Sequence, residues 1–200
     1  AYTDYVSPRF AAPAILAALD HRRRTGEGQH IDLSQAECSM HFLGSAILDY
    51  TVNGRILAAR GNTLPHYAPT GVYAAEGEQS WIAIAAPDEA TWQSFAKVAG
   101  RSWESDARFA SAAARLENRA ALDEAIEAWT RDRDVGEIEA SLQAAGVPAH
   151  RVIDSPGAFA DPQLAARKHF VPVEYGTHGE LPYEAPRMRF SATPGAPSPC

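Results

Sequence analysis

Residues 22–37 read Arg22-Arg23-Arg24-Thr25-Gly26-Glu27-Gly28-Gln29-His30-Ile31-Asp32-Leu33-Ser34-Gln35-Ala36-Glu37, and the fold class is decided there. The three arginines suit the last turn of a helix, because cations complement the negative end of its dipole. Gly26 stands where a left-handed cap residue is expected. Residues 29–33 alternate polar and apolar, the period of a short strand. Ser34 and Glu37 then match the S-x-x-E capping box of a second helix. Helix, strand and capped helix joined by short links predict an α/β layered unit.

Upstream, residues 1–9 read as a loop. A helix is expected from Ala11 or Ala12 to Arg24, with Ile15, Leu16 and Leu19 on one face. Pro13 has no N–H and is tolerated only where that donor would be free, so it sits near the helix start. Downstream, Met40, Leu43, Ile47 and Tyr50 carry the second helix to about Val52, and Asn53-Gly54 stops it. Two helices and one strand do not close a domain. The remaining strands are expected outside this sequence, or the segment packs on another chain. The start at Ala1 and the end at Cys200 both read as interruptions of a longer pattern.

Residues 55–66 form a linker containing Gly61-Asn62. Gly71–Ala75 and Trp81–Ala85 predict a hairpin across a turn at residues 76–79. Helices are expected from Asp88 or Glu89 to Ala99, from Arg115 to Thr130 and from Asp134 to Ala145, closed by Gly100 and Gly146 where they end. Trp92, Phe95 and Trp129 fall at helical spacing and read as core, and Trp81 is assigned to the core as well. Val147–Ile153 predicts a strand, and Asp161-Pro162 opens a short helix, with Asp as cap and Pro at the first position. His169–Glu174 and Arg187–Phe190 are the last strand candidates. Residues 67–165 thus form an α+β unit large enough for its own core. Residues 166–200 follow it, with a proline-rich run from Pro194 to Pro199.

The 200 residues carry 18 Lys and Arg against 25 Asp and Glu, a net charge of −7. At 46% hydrophobic and 22% charged residues the composition is globular and excludes wholesale disorder. The acidic balance argues against a general nucleic-acid binder, which needs a basic surface. No apolar run approaches the ~20 residues that cross a bilayer, the longest being Phe10–Leu19. No signal peptide is visible. Cys38 and Cys200 lie far apart without metal spacing, which makes a reduced cytoplasmic compartment the default. The seven histidines form no helical i, i+4 ligand pair, and no P-loop, G-x-S-x-G, G-x-G-x-x-G, H-E-x-x-H or C-x-x-C occurs.

The order of pieces says more. Asp4 within Y-T-D-Y-V-S-P precedes an Ala-rich helix, followed by Thr25-Gly26-Glu27-Gly28-Gln29, Asp32 and Glu37. Further on come Arg60-Gly61-Asn62, the hairpin ending at Trp81–Ala85, the turn Ala145-Gly146-Val147-Pro148, Asp161-Pro162, and Ala185-Pro186 through Phe190-Ser191. This series strongly resembles class III CoA transferases, the family of the formyl-CoA:oxalate and crotonobetainyl-CoA:carnitine transferases. The sequence departs from the pattern at Pro8, where many members have Gly, and at Gly61-Asn62, where many have a longer glycine run.

The resemblance implies an α/β protein: the end of a Rossmann-like large domain (1–54), a linker (55–66), an inserted small α+β domain (67–165) and a return segment (166–200). Two chains would interlock as a homodimer, and most of the coenzyme A site would lie upstream. Asp4 is carried over as the nucleophile. Its carboxylate would attack the donor thioester to give a mixed anhydride and free CoA thiolate, and the thiolate would convert the anhydride to an aspartyl-CoA thioester. The acceptor carboxylate would then run the steps in reverse. Such intermediates require water to be excluded. Gly61 and Asn62 match the small-domain lid, and His66 beside them is a candidate substrate contact, with Tyr67 next to it. The resemblance implies CoA thioester and carboxylate as substrates and no permanently bound cofactor, and the histidine spacing, acidic charge and short apolar runs add the expectation of no metal, no nucleic acid and no membrane as partner.

Two other readings stand beside this one. An α-methylacyl-CoA racemase shares the family fold and uses the equivalent aspartate as a proton-transfer base, with a histidine that would lie upstream of Ala1. Alternatively, these 200 residues are a folding or dimerisation module without turnover. Several features have ordinary structural explanations: Arg22–Arg24 as helix-end charge, Thr25–Gln29 as a turn, Glu37 as a cap partner. His41 is assigned no role.

Overall fold

The structure, a computed structural model, describes residues 2–197. Cys200 and the end of the proline-rich run lie outside the described residues. The chain is mixed α/β and divides into two compact units, Ala1–Arg60 and Gly61–Cys200.

Among the described residues the first unit holds three helices: α1 (Tyr2–Thr25), α2 (Gln35–His41) and α3 (Gly44–Asn53). α1 begins about nine residues earlier than expected and runs through both Pro8 and Pro13. A proline deletes one ladder donor each time, Pro8 the one that would bond the Asp4 carbonyl. Side chains brace the same turns, since Ser7 Oγ donates to Thr3 O at 2.6 Å and Arg9 Nη1 to Tyr5 O at 2.7 Å. Val6 and Ser7 of α1 and Cys38 and Ser39 of α2 are buried, and Tyr2 Oη donates to Ser39 O. Phe10 lies 5.4 Å from the His41 ring and 6.0 Å from Phe42.

Residues 29–33 form no strand, because no neighbouring strand among the described residues completes a ladder with them. Ser34 does cap α2, accepting from Glu37 N. The single helix expected up to Val52 is two. It breaks at Phe42 and Leu43, just before Gly44, a poor helix former. Gly54, in the left-handed region at φ +68°, closes α3 as expected. Ile15, Leu16, Leu19, Ile47 and Leu48 are exposed, so the apolar stripes of this unit have no cover within it.

The second unit is built around an antiparallel sheet in the order β1 (Thr70–Ala74), β2 (Trp81–Ala85), β3 (Ala149–Arg151). One face packs against α4 (Glu89–Ala99), α6 (Arg119–Thr130) and α7 (Val135–Ala144), with α5 (Ala112–Glu117) before α6. Tyr73, Ile82, Ile84, Trp92, Phe95, Phe109, Leu122, Ile126, Trp129 and Leu142 form the core. Trp81 does not join it. Strand residues alternate between faces, and with Ile82 and Ile84 inward Trp81 must point out, where it is exposed. Gly71 is glycine for a local reason: a Cβ there would stand 2.8 Å from the Tyr73 ring.

Asp88 caps α4, accepting from Thr91 N, and Asp134 caps α7, accepting from Glu137 N, while Gly100 and Gly146 close the two helices as expected, at left-handed φ beyond their ends. The helix expected over Arg115–Thr130 is interrupted at Asn118. The Asn118 amide donates to Ala114 O and Arg108 O, supplying the backbone with an alternative to the ladder. β3 is shorter than residues 147–153, since Pro148 has no donor to give.

Beyond β3 come α8 (Ser155–Ala160), α9 (Pro162–Ala166), and a hairpin of β4 (Phe170–Glu174) with β5 (Glu180–Glu184). Asp161 caps α9 as expected. The last strand is Glu180–Glu184 rather than Arg187–Phe190. Gly176 and Gly179, both at positive φ, turn the chain, and Pro172 pairs with Pro182, which an isolated two-stranded ribbon tolerates. Among the described residues no helix is long and apolar enough to cross a membrane.

Candidate functional site

Asp4 lies in the first turn of α1 with its side chain exposed. A carboxylate there meets the positive end of the helix dipole. Arg22–Arg24 occupy the opposite end of the same helix, about 27 Å away at 1.5 Å per residue. They pair locally, Arg23 and Arg24 each bonding Asp20 at 2.9 Å.

Gly61, Asn62 and His66 belong to the second unit, Asp4 to the first. Gly61 has φ +60° and opens a turn with Asn62. Asn62 lines a groove of about 540 Å3 with Thr70, Val72, Ala83, Pro148 and His150, on the outer face of the sheet. Its walls are mostly small and apolar, with Asn62, Thr70 and His150 as hydrogen-bonding groups. That chemistry suits a short apolar segment bearing a polar end. His66 is exposed and is not part of this lining.

Two arginines, unassigned from sequence, hold the C-terminal base of this loop. Arg119 Nη2 donates to Leu64 O at 2.6 Å and Tyr67 O at 2.7 Å. Arg115, 2% exposed, donates from Nε to Ala68 O, from Nη1 to Phe109 O and from Nη2 to Glu89 Oε2, all within 3.0 Å. Its guanidinium also stacks 4.7 Å from the Trp92 ring centre. The signal for Arg115 was present in the sequence. It lies seven residues before Leu122 and eleven before Ile126, so a charge occupies a position on the apolar stripe.

Behind the sheet, Tyr73 Oη donates to Asp123 Oδ1 at 2.8 Å. Burial pushes the Tyr73 phenol above its ordinary value, the Asp123 charge and hydrogen bond add to this, and Arg119 opposes it. Burial also raises the Asp123 carboxyl, against the pull of Tyr73 and Arg119. At the sheet edge Glu139 accepts from Arg151 Nε at 2.6 Å and Arg151 N at 3.2 Å, with His150 Nε2 3.6 Å away.

Burial alone would raise the Glu139 carboxyl, but the Arg151 hydrogen bonds and charge, with His150 nearby, outweigh it and hold Glu139 below its ordinary value. A depressed carboxylate adds stability above its ordinary value and loses it as the pH falls through the folded one. Glu139→Gln is therefore expected to cost about 1 kcal/mol at neutral pH, because half-exposed Arg151 is screened by water. The cost should shrink as the pH falls below the ordinary carboxylate range and Glu139 of the folded wild type becomes protonated. Urea unfolding of the two proteins at neutral pH and through the acid range checks this.

Among the described residues no three His, Cys, Asp or Glu side chains gather as a metal-binding group. Comparison with known proteins gives a consistent result. The model of CoA-transferase family III matches residues 1–199. The succinyl-CoA–D-citramalate CoA-transferase of Chloroflexus aurantiacus is 34% identical over 96% of this chain and 48% of its own length. The succinate–glutarate CoA-transferase of Agrobacterium fabrum is 27% identical over 97% of this chain and 48% of its own. A crystal structure of a CAIB/BAIF family protein from Brucella suis superimposes with a TM-score of 0.83 at 29% identity, covering 100% of this chain and 52% of that one. The chain thus spans about half the length of the curated relatives it matches.

Proposed function

This chain belongs to CoA-transferase family III, and on that premise we propose that the full-length protein moves coenzyme A between an acyl-CoA donor and a free carboxylate, with Asp4 as nucleophile. The observation that carries this reading is the family match across residues 1–199; the choice of Asp4 rests on the order of motifs along the sequence. The relatives named above act, by their names, on succinyl-CoA with D-citramalate and on succinate with glutarate, so a dicarboxylate donor and acceptor are the proposed substrates.

The proposed chemistry keeps every bond accounted for. An Asp4 oxygen bonds to the donor acyl carbon and the C–S bond breaks, releasing CoA thiolate. The thiolate attacks the Asp4 carbonyl of the anhydride, the donor leaves as its carboxylate, and CoA remains on Asp4 as a thioester. The acceptor carboxylate attacks that thioester, and the released thiolate then takes the acceptor acyl group and frees Asp4. A carboxylate suits this role because its anhydride and its thioester both remain activated. The loop of Gly61, Asn62 and His66 is the proposed lid excluding water, and Arg119 and Arg115 support the reading by holding its base to the helices.

Residues 1–54 are proposed to complete a Rossmann-like domain in the full-length protein, with 55–66 as linker, 67–165 as the small domain and 166–200 returning to the large one. The exposed apolar stripes of the first unit support this, since such faces need cover. An interlocked homodimer, a cytoplasmic location, the absence of any resident cofactor and the inactivity of the 200-residue chain by itself belong to the same proposal.

The test uses the full-length protein in deuterium oxide with succinyl-CoA and a panel of dicarboxylate acceptors. Acceptor-CoA without deuterium at the α-carbon is the expected product. Deuterium at the α-carbon with no CoA exchange would replace the transferase reading with racemisation.

A further inference from the structure

Tyr73 and Asp123 form a polar pair in the second unit that the proposed chemistry leaves unused. Tyr73 is 3% exposed on the inward face of β1, and its Oη donates to Asp123 Oδ1 on α6 at 2.8 Å. Attaching α6 to β1 does not require this pair. Leu122, Ile126 and Trp129 already bury the helix in the core, and Thr130 Oγ1 donates to Ala74 O at 2.6 Å. Two apolar side chains at positions 73 and 123 would pack there without desolvating a carboxylate. Burial pushes the Asp123 carboxyl up, the sign of a charge kept against its surroundings.

A second anomaly lies one helical turn away. Arg119 precedes Asp123 by four residues on α6, the spacing that puts two side chains on one face. Its Nη2 donates to Leu64 O at 2.6 Å and to Tyr67 O at 2.7 Å, while Nη1 is buried and meets no hydrogen-bond partner among the described residues. A guanidinium with one arm of its fork unpaired is costly to hold unless a nearby negative charge offsets the loss. Asp123 supplies that charge. Burial raises both the Tyr73 phenol and the Asp123 carboxyl, and the Arg119 cation pulls both back down. The carbonyls that Arg119 holds belong to the segment that brings Asn62 into the groove on the outer face of the sheet.

We propose that Tyr73 and Asp123 are positioning residues for the loop of Gly61, Asn62 and His66, and that they act through Arg119. The phenol fixes the carboxylate, the carboxylate steadies the guanidinium, and the guanidinium fixes the Leu64 and Tyr67 carbonyls that set where the loop lies. This rests on the reading of that loop as a lid and names the residues that keep it in place.

The experiment combines amide exchange and transfer kinetics on the full-length protein, with succinyl-CoA as donor and the dicarboxylate that turns over fastest as acceptor. Asp123→Asn keeps the shape of the side chain and an oxygen for Tyr73 but removes the charge. It is expected to speed exchange of residues 61–68 about tenfold and to raise KM for succinyl-CoA about tenfold, with a smaller fall in kcat, because bound substrate restores the ordered loop. Tyr73→Phe should move both readouts the same way. Arg119→Gln should give the largest change, and adding Asp123→Asn to it should cause no further acceleration, since Asp123 acts through Arg119. Peptides from α4 should exchange as in the wild type. Unchanged exchange of residues 61–68 in Asp123→Asn and Tyr73→Phe, additive effects in the double variant, or equal acceleration in α4 overturns the inference. Faster exchange of residues 61–68 with an unchanged KM would uphold the positioning roles and overturn instead the reading of the loop as a lid.

Discussion

Asp4→Ala in the full-length protein is expected to lower CoA transfer by roughly 10^4-fold or more, the order seen when a covalent nucleophile is removed. Folding should scarcely change. The Asp4 side chain is exposed in the first turn of α1, where a carboxylate contributes about 0.3–1 kcal/mol through the helix dipole. Asp4→Asn sharpens the result: it keeps the shape of the side chain and removes the anionic oxygen that attacks the thioester. Equal loss in both variants, with unfolding midpoints close to wild type, separates chemistry from structure. Initial rates of acceptor-CoA formation and urea unfolding on the same preparations provide the two readouts.

The second large effect is structural. Arg115→Ala is expected to cost about 3–5 kcal/mol, the range for breaking a buried, fully bonded charge. Three acceptors lose their donor at once, the Ala68 and Phe109 carbonyls and Glu89, and the Trp92 ring loses its stacking partner. Buried carbonyls left unpaired are costly because water cannot replace the lost bond. Arg115→Lys keeps the charge but lacks the fork that reaches three directions, so it should fall between alanine and wild type. Denaturant unfolding with an unchanged m-value measures both. The loop base at Ala68 should also loosen, visible as faster amide exchange in residues 64–68.

The small-domain helices were legible because local and tertiary signals agree there. Asp88 and Asp134 are caps, Gly100 and Gly146 are stops, and Trp92, Phe95, Ile126 and Trp129 keep a helical period that the core then uses. Elements were misread where two signals compete. Residues 1–9 read as a loop and Pro13 as a mark of the helix start, yet one lost donor at a time does not outweigh the rest of a 24-residue helix, in which the side chains of Ser7 and Arg9 brace the turns around Pro8. Residues 29–33 have the pattern of a strand, but pattern alone supplies no hydrogen-bonding neighbour. β5 was hidden by Pro182 and by acidic residues at both its ends, and it becomes visible only through its pairing with β4.

The site was legible in a different manner. Residue type and place in the sequence do not distinguish Asp4 from any aspartate near a helix start. Its proposed role comes from the order of motifs along the whole chain. Arg115 was the reverse case, a physical anomaly on an apolar stripe that the motif order does not mention. Arg119 needed the structure, because its partners Leu64 and Tyr67 lie more than fifty residues away in sequence.

One measurement addresses the covalent step itself. The full-length protein is incubated with succinyl-CoA and no acceptor, quenched in acid, digested and examined by mass spectrometry. The proposed chemistry predicts a peptide containing Asp4 that carries the mass of coenzyme A in thioester linkage and disappears when acceptor is added. An enzyme that turns over under the same conditions while that peptide stays unmodified, or carries the adduct on another residue, would contradict it.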